Sequence, residues 1–265
     1  ISYLIAPLLG GILYAAVGLK PVMYASVVCF FITALFECFI KLSRQTRDFK
    51  GNILSMVKDD FSDSIRFITK ERPDIMKMLL LAAFSRFFVM GVTLVGLPFL
   101  VRTVLGLDAK LYGGAESALA VATILGSIAA GLLAGKLKSG RLSYVLAAIG
   151  ACIIPAGVAF LFPSSALIRY AVIVAGFCGM QAAISIFSIF AVSMIQQNTP
   201  DGLIGKIMAY TAAVTMCAQP VGQMVYGFLF DRFQGKVYLV LIPSGIMVCV
   251  IGLLATGFFG KLDEK

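Results

Sequence analysis

The sequence predicts an all-α membrane protein, a bundle of about eight transmembrane helices, and three observations predict it. Of the 265 residues 60% are hydrophobic and only 13% are charged, with a mean hydropathy of +0.98, a composition far from that of a soluble domain. Several apolar runs are long enough to cross about 30 Å of hydrocarbon. Runs such as Ala171 to Ile195 are uninterrupted and lack the alternation of a barrel strand, so their backbone hydrogen bonds have to close within the segment, which only a helix achieves.

The spans fall at residues 1–18, 21–40, 77–101, 112–135, 142–162, 167–195, 207–230 and 237–260. In the first, Pro7 removes a backbone hydrogen bond while Gly10 and Gly11 let a neighbouring backbone approach, which predicts a bent, tightly packed helix. The second ends at Lys41, and Glu37, one turn earlier, reads as an interfacial carboxylate leaning to water. Residues 42–76 are hydrophilic. Within them Leu54, Val57, Phe61, Ile65 and Ile68 recur at helical spacing with charges on the other faces, which predicts an amphipathic helix lying as a linker on the cytoplasmic headgroups rather than docking a partner. In the fourth span Gly126, Gly131 and Gly135 read as helix-packing residues.

The opening Ala6-Pro7-Leu8-Leu9-Gly10-Gly11 is echoed in the seventh span by Gln219-Pro220-Val221-Gly222, with Tyr14 and Tyr226 following each copy. A repeat of this kind points to a transporter built from duplicated helical bundles.

Lys and Arg placement orients the bundle, because basic loops stay cytoplasmic. With both termini of this segment inside, 15 of the 22 basic residues lie in cytoplasmic loops and six (Lys20, Arg102, Lys110, Arg169, Arg232, Lys236) outside, leaving Arg86 in the membrane. The net charge of +9 then follows from topology and contact with the lipid bilayer, and nothing suggests nucleic acid. All six cysteines sit in apolar spans at scattered spacing and read as small core residues, with no metal set and no cofactor motif. Histidine is absent, which removes the zinc-protease and Ser-His motifs and leaves an enzyme reading unsupported.

Two spans, a charged linker and six spans form a pattern that resembles the later two-thirds of a major facilitator superfamily transporter, in particular the bacterial efflux permeases related to macrolide and enterobactin exporters. Ala6 to Gly11 resembles the Gly-Pro-x-x-Gly-Gly signature of the fifth helix in drug antiporters, with Ala6 replacing the first glycine. Asp59 to Pro73, with Phe67-Ile68 and Arg72-Pro73, looks like the central linker and the start of helix seven. Asn198-Thr199-Pro200-Asp201-Gly202-Leu203-Ile204-Gly205-Lys206 resembles the Val-Pro-Asp-Glu-Leu-Arg-Gly-Arg loop between helices ten and eleven.

The resemblance implies a major facilitator helical bundle divided into residues 1–41 (the last two helices of an N-terminal bundle), 42–76 (linker) and 77–265 (a six-helix C-terminal bundle). Family chains have twelve helices, so it also implies a partial chain lacking the first four. Gly131 to Lys138 is a degenerate counterpart of the family's loop signature and lacks its aspartate, so a charge latch is not expected there. Pro7, Gly10 and Gly11 become the conformational motif that seals one side against leak, set against ordinary packing by small residues.

Polar residues inside the spans are the candidates for substrate contact, because each is costly there unless paired or facing water. Arg86 lies about 13 Å along its helix from Lys77, too deep to snorkel easily, and has to face a cavity or a carboxylate. Glu116 is the one carboxylate placed to titrate within the covered helices, and so the coupling candidate. It is also a possible partner of Arg86 if both side chains extend. Gln181, Ser185 and Ser188 share one helical face, and Thr211, Thr215, Gln219 and Gln223 form a longer stripe preferred as cavity lining. With Phe87, Phe88, Met90 and Tyr210 nearby, these residues predict a mostly apolar cavity suited to bulky amphipathic compounds. The function expected is export of a small-molecule drug, macrolide or siderophore across the cell (inner) membrane, driven by protons and alternating access, of which export, coupling and drug-like cargo come from the resemblance. The alternatives are a non-transporting truncated scaffold and an uptake symporter.

Overall fold

The computed structural model describes residues 19–39, 67–133 and 139–263. The first expected span, with Pro7, Gly10 and Gly11, and most of the amphipathic linker lie outside them. The chain divides into two units, residues 1–57 and 58–265.

In the first unit α1 (Leu19–Cys38) is apolar on every face, as a span needs to be. Its serine and threonine are satisfied internally: Ser26 Oγ donates to the Val22 carbonyl and Thr33 Oγ1 to that of Cys29, both at 2.9 Å.

The second unit contains α2 (Pro73–Gly91), α3 (Ala109–Leu133), α4 (Leu142–Val158), α5 (Ala166–Gln197), α6 (Asp201–Arg232), α7 (Tyr238–Leu254) and the short α8 (Thr256–Asp263). No strand occurs among the described residues. Helices therefore stand at the positions of seven of the eight expected spans. By length and composition five suffice to cross a membrane: Lys20–Cys38, Pro73–Val104, Ala109–Leu133, Ala166–Gln197 and Tyr238–Gly260. The α4 helix is apolar but shorter, and α6, though 32 residues long, is diluted by its Thr and Gln stripe.

The helix α2 starts at Pro73, four residues earlier than expected, because proline at the first helical position forfeits an N–H that has no helical partner anyway. It runs on past Gly91 through two π-helical stretches, Val92–Gly96 and Phe99–Val104, on either side of Pro98. Gly106, at φ +64°, ends it in a left-handed turn that glycine adopts without a Cβ clash. The loop Asn198–Lys206 is the turn from α5 into α6. Asn198 Nδ2 donates to the Met194 carbonyl (2.9 Å) and Thr199 Oγ1 to that of Ile195 (2.6 Å), capping α5. Pro200 then stops the helix and Asp201 opens the next, where a carboxylate complements the N-terminal dipole. Across the turn, Arg72 Nη2 donates to Asn198 Oδ1 at 2.5 Å, tying the start of α2 to the end of α5.

Lipid offers apolar helices no hydrophobic reason to associate, so packing falls to close van der Waals fit and small residues. The main pairs are α4 with α7, α2 with α6, α4 with α5 and α3 with α5. Gly150 and Gly245 bring α4 and α7 together, and Gly91 and Gly222 do so for α2 and α6, each where an added Cβ would strike the facing backbone. Gly126 behaves as expected, its Cα facing the Ala182 backbone. Gly131 does not: nothing lies within 4 Å of where its Cβ would be.

Beside the Gly91–Gly222 crossing lies an aromatic cluster of Phe87, Phe88, Tyr226 and Phe230, with centroids 5.0 to 6.3 Å apart between neighbours. Tyr226 is buried and its hydroxyl donates to Ser244 Oγ (2.6 Å), which in turn donates to the Val240 carbonyl (2.6 Å). The tyrosine marked by the sequence repeat thus joins α6 to α7, satisfying two hydroxyls that would each be costly to bury unpaired.

Candidate functional site

Four helices, α2, α3, α5 and α6, enclose a cavity of about 410 Å³, within the size range of small-molecule sites. Met90, Ile184, Phe187, Val192, Ile195 and Met208 supply apolar wall, and among the described residues Arg86 is the one charged residue that lines it. Each helix contributes polar groups: Ser85 and Arg86 from α2, Thr123 and Ser127 from α3, Gln181, Ser185 and Ser188 from α5, Thr211 and Thr215 from α6.

The hydroxyls are mostly committed as donors to their own helices. Ser85 donates to the Ala82 carbonyl, Thr123 to Leu119, Ser127 to Thr123, Ser185 to Gln181 and Thr211 to Ile207, all at 2.9 Å, and Thr215 donates to Thr211 at 2.7 Å. This back-bonding is how Ser and Thr are accommodated in apolar helices. It leaves the oxygens' remaining lone pairs as acceptors.

Among the described residues two buried atoms of the lining side chains have no hydrogen-bond partner: Arg86 Nε, a donor, and Gln181 Oε1, an acceptor. The Gln181 amide nitrogen makes a long 3.4 Å bond to Thr123 Oγ1. A buried unsatisfied polar atom costs about 1–3 kcal/mol, so each of the two calls for a partner such as a water, an ion or a ligand.

Arg86, Gln181 and Thr215, three of the residues singled out in the sequence, meet in this cavity together with Ser185, Ser188 and Thr211. Gln219 and Gln223 do not line it, and helix geometry says why. Each step of four residues advances about 40° around a helix, so a stripe from Thr211 to Gln223 turns by about 120° and leaves the face on which it started. Gln181, Ser185 and Ser188, spaced by four and then three, stay within about 60° and remain together. Of the aromatic residues expected in the wall, Phe87 and Phe88 instead pack on Tyr226, and Tyr210 lies outside the lining.

Glu116 is exposed on α3, outside the cavity wall, and accepts a hydrogen bond from the Tyr112 hydroxyl at 2.9 Å. No ion pair joins it to Arg86 among the described residues. Pro7, Gly10 and Gly11 lie outside the described residues. Sequence reading missed Ser85, Thr123 and Ser127, although the last two show the same four-residue spacing that picked out the other stripes. Among the described residues no three His, Cys, Asp or Glu side chains converge as a metal site would require.

The arrangement is suited to holding a partly apolar small molecule by a few polar anchors. A sequence profile of the Major Facilitator Superfamily matches residues 1–222, a stretch that contains every residue of the cavity wall. No curated protein and no solved structure matches the chain.

Proposed function

This chain belongs to the major facilitator superfamily of multi-pass membrane transporters, and we propose that it exports amphipathic small molecules (drug, macrolide or siderophore type) by proton-coupled alternating access. The observation that carries this reading is the cavity between α2, α3, α5 and α6, mostly apolar with Arg86, Gln181 and Thr215 among its polar anchors. We place the protein in the cell (inner) membrane with both termini of this segment cytoplasmic, on the asymmetry of Lys and Arg. Residues 1–41 then belong to one bundle, 42–76 to the linker and 77–265 to the second bundle, with Pro7, Gly10 and Gly11 as the conformational motif and Gln219 and Gln223 beside the pathway rather than on the cavity wall.

The test is intracellular accumulation of a panel of fluorescent amphipathic compounds in cells with and without the gene. Lower accumulation with the gene, abolished when the proton gradient is collapsed, is the expected result. Higher accumulation would make the protein an uptake system, and equal accumulation across the panel would remove the export reading.

For coupling we assign Glu116, the one carboxylate well inside a described span, held by Tyr112. Glu116→Gln is expected to abolish transport driven by an imposed pH gradient in proteoliposomes while leaving substrate exchange at zero gradient intact. Retention of gradient-driven transport would move the coupling group elsewhere in the protein.

A further inference from the structure

The charge and the hydrogen-bonding character of the residues lining the cavity describe what would fill it. Among the described residues Arg86 carries the only formal charge on the wall, no carboxylate lines it, and the buried Arg86 Nε has no acceptor. A guanidinium stays charged in any protein environment. Half-buried at the cavity wall and without a counter-charge among the described residues, it favours an anion and repels a cation. The rest of the wall has the opposite hydrogen-bonding character. Gln181 Oε1 is an unpartnered acceptor, and the hydroxyls of Ser85, Thr123, Ser127, Ser185, Thr211 and Thr215 already donate to backbone carbonyls, so they meet a ligand as acceptors.

Resting on the transporter reading above, we infer that the cavity selects amphipathic organic anions: a carboxylate or similar anion takes Arg86, and hydroxyl or amide N–H donors on the same molecule take Gln181 and its neighbouring oxygens. Met90, Ile184, Val192 and Met208 cover the apolar part. A cationic amphiphile has no carboxylate in this wall to approach and has to displace or neutralise Arg86 to enter.

The probe is 6-hydroxy-2-naphthoate, which is fluorescent and carries an anion and a donor on one apolar body. Its binding to the full chain in phosphatidylcholine nanodiscs is compared with that of the neutral 6-hydroxy-2-naphthamide and the cationic 6-hydroxy-2-naphthylmethylamine. The anion is expected to bind about tenfold more tightly than either, the range of one charge-assisted hydrogen-bonded contact. Arg86→Gln is expected to erase the preference and Arg86→Lys to retain part of it. Omitting the hydroxyl, as in 2-naphthoate, is expected to weaken binding about threefold in the unsubstituted protein and not at all in Gln181→Leu. Equal or tighter binding of the amide or the amine overturns the inference without any variant being made, as does an anion preference that survives Arg86→Gln. Loss of anion binding when phosphatidylglycerol replaces part of the phosphatidylcholine also overturns it, since the arginine then serves a lipid headgroup. These outcomes are separable from failure of the transport reading: compounds exported with no regard to charge sink the anion selectivity alone, whereas anion binding without any export sinks the transport reading alone.

Discussion

Gly222→Ala and Gly150→Ala are each expected to destabilise the protein by about 2–3 kcal/mol, while Gly131→Ala leaves it unchanged or slightly more stable. The three substitutions add the same methyl group to helical glycines, Gly131 in the last turn of α3, so their sign is decided by what the methyl meets. At Gly222 it runs into the Phe87 carbonyl oxygen and comes within 3.0 Å of the carbonyl carbon and 3.2 Å of the Cα. At Gly150 it meets the Gly245 carbonyl oxygen, the Cys249 nitrogen at 2.6 Å and the Cys249 sulfur at 2.8 Å. These obstacles are chiefly backbone, and backbone moves only if the helices part. Parting α2 from α6 also pulls Phe87 and Phe88 from Tyr226; parting α4 from α7 breaks the Cys249 Sγ bond to the Ala147 carbonyl (3.2 Å). At Gly131 nothing lies within 4 Å, and alanine is the better helix former. Thermal melting of the detergent-purified full chain reads the three effects side by side. Equal melting temperatures for Gly222→Ala and Gly131→Ala would refute the packing account of α2 and α6.

The contrast between Gly131 and Gly126 shows what the sequence makes legible and what it does not. Apolar length and the lack of strand alternation are properties of single segments, so the all-helical class and the positions of seven of the described helices could be read along the chain, α6 included despite its polar stripe. A contact belongs to two segments at once. Whether a glycine meets a neighbour, or whether Phe87 turns to a cavity or to Tyr226, depends on the rotation of one helix against another, which one helix's sequence does not contain. The candidate site divides along the same line. Arg86 was legible because a charge deep in a span needs a reason wherever its helix points. Gln181, Ser185 and Ser188 were legible because their spacing keeps them on one face. Gln219 and Gln223 fall outside the cavity lining because a spacing of four rotates by about a third of a turn over three steps. Tyr226 was marked by its place after Pro220, but only the pairing of α6 with α7 shows that its hydroxyl is committed to Ser244.

Ser188→Trp is expected to reduce transport to the level of cells lacking the gene while protein abundance and melting temperature stay near normal. Ser188 lies on the face of α5 that carries Gln181 and Ser185, lines the cavity, and is exposed rather than buried. A large ring at this point can therefore enter the open volume without displacing core side chains such as Phe187 and Ala191, which are at most 1% exposed. A cavity of about 410 Å³ is close to the lower size limit for a drug-sized ligand, so an indole within it competes directly with cargo. The matching control is Ile246→Trp, on α7 and 49% exposed, which adds a comparable ring to a helix that contributes nothing to the cavity wall and is expected to transport normally. Compound accumulation in cells expressing either variant, with membrane abundance measured in parallel, separates occlusion of the pathway from a general effect of added bulk. Normal transport by Ser188→Trp at normal abundance would put the route of the cargo outside this cavity, and Arg86 and Gln181 would then need a structural explanation for their unpaired atoms.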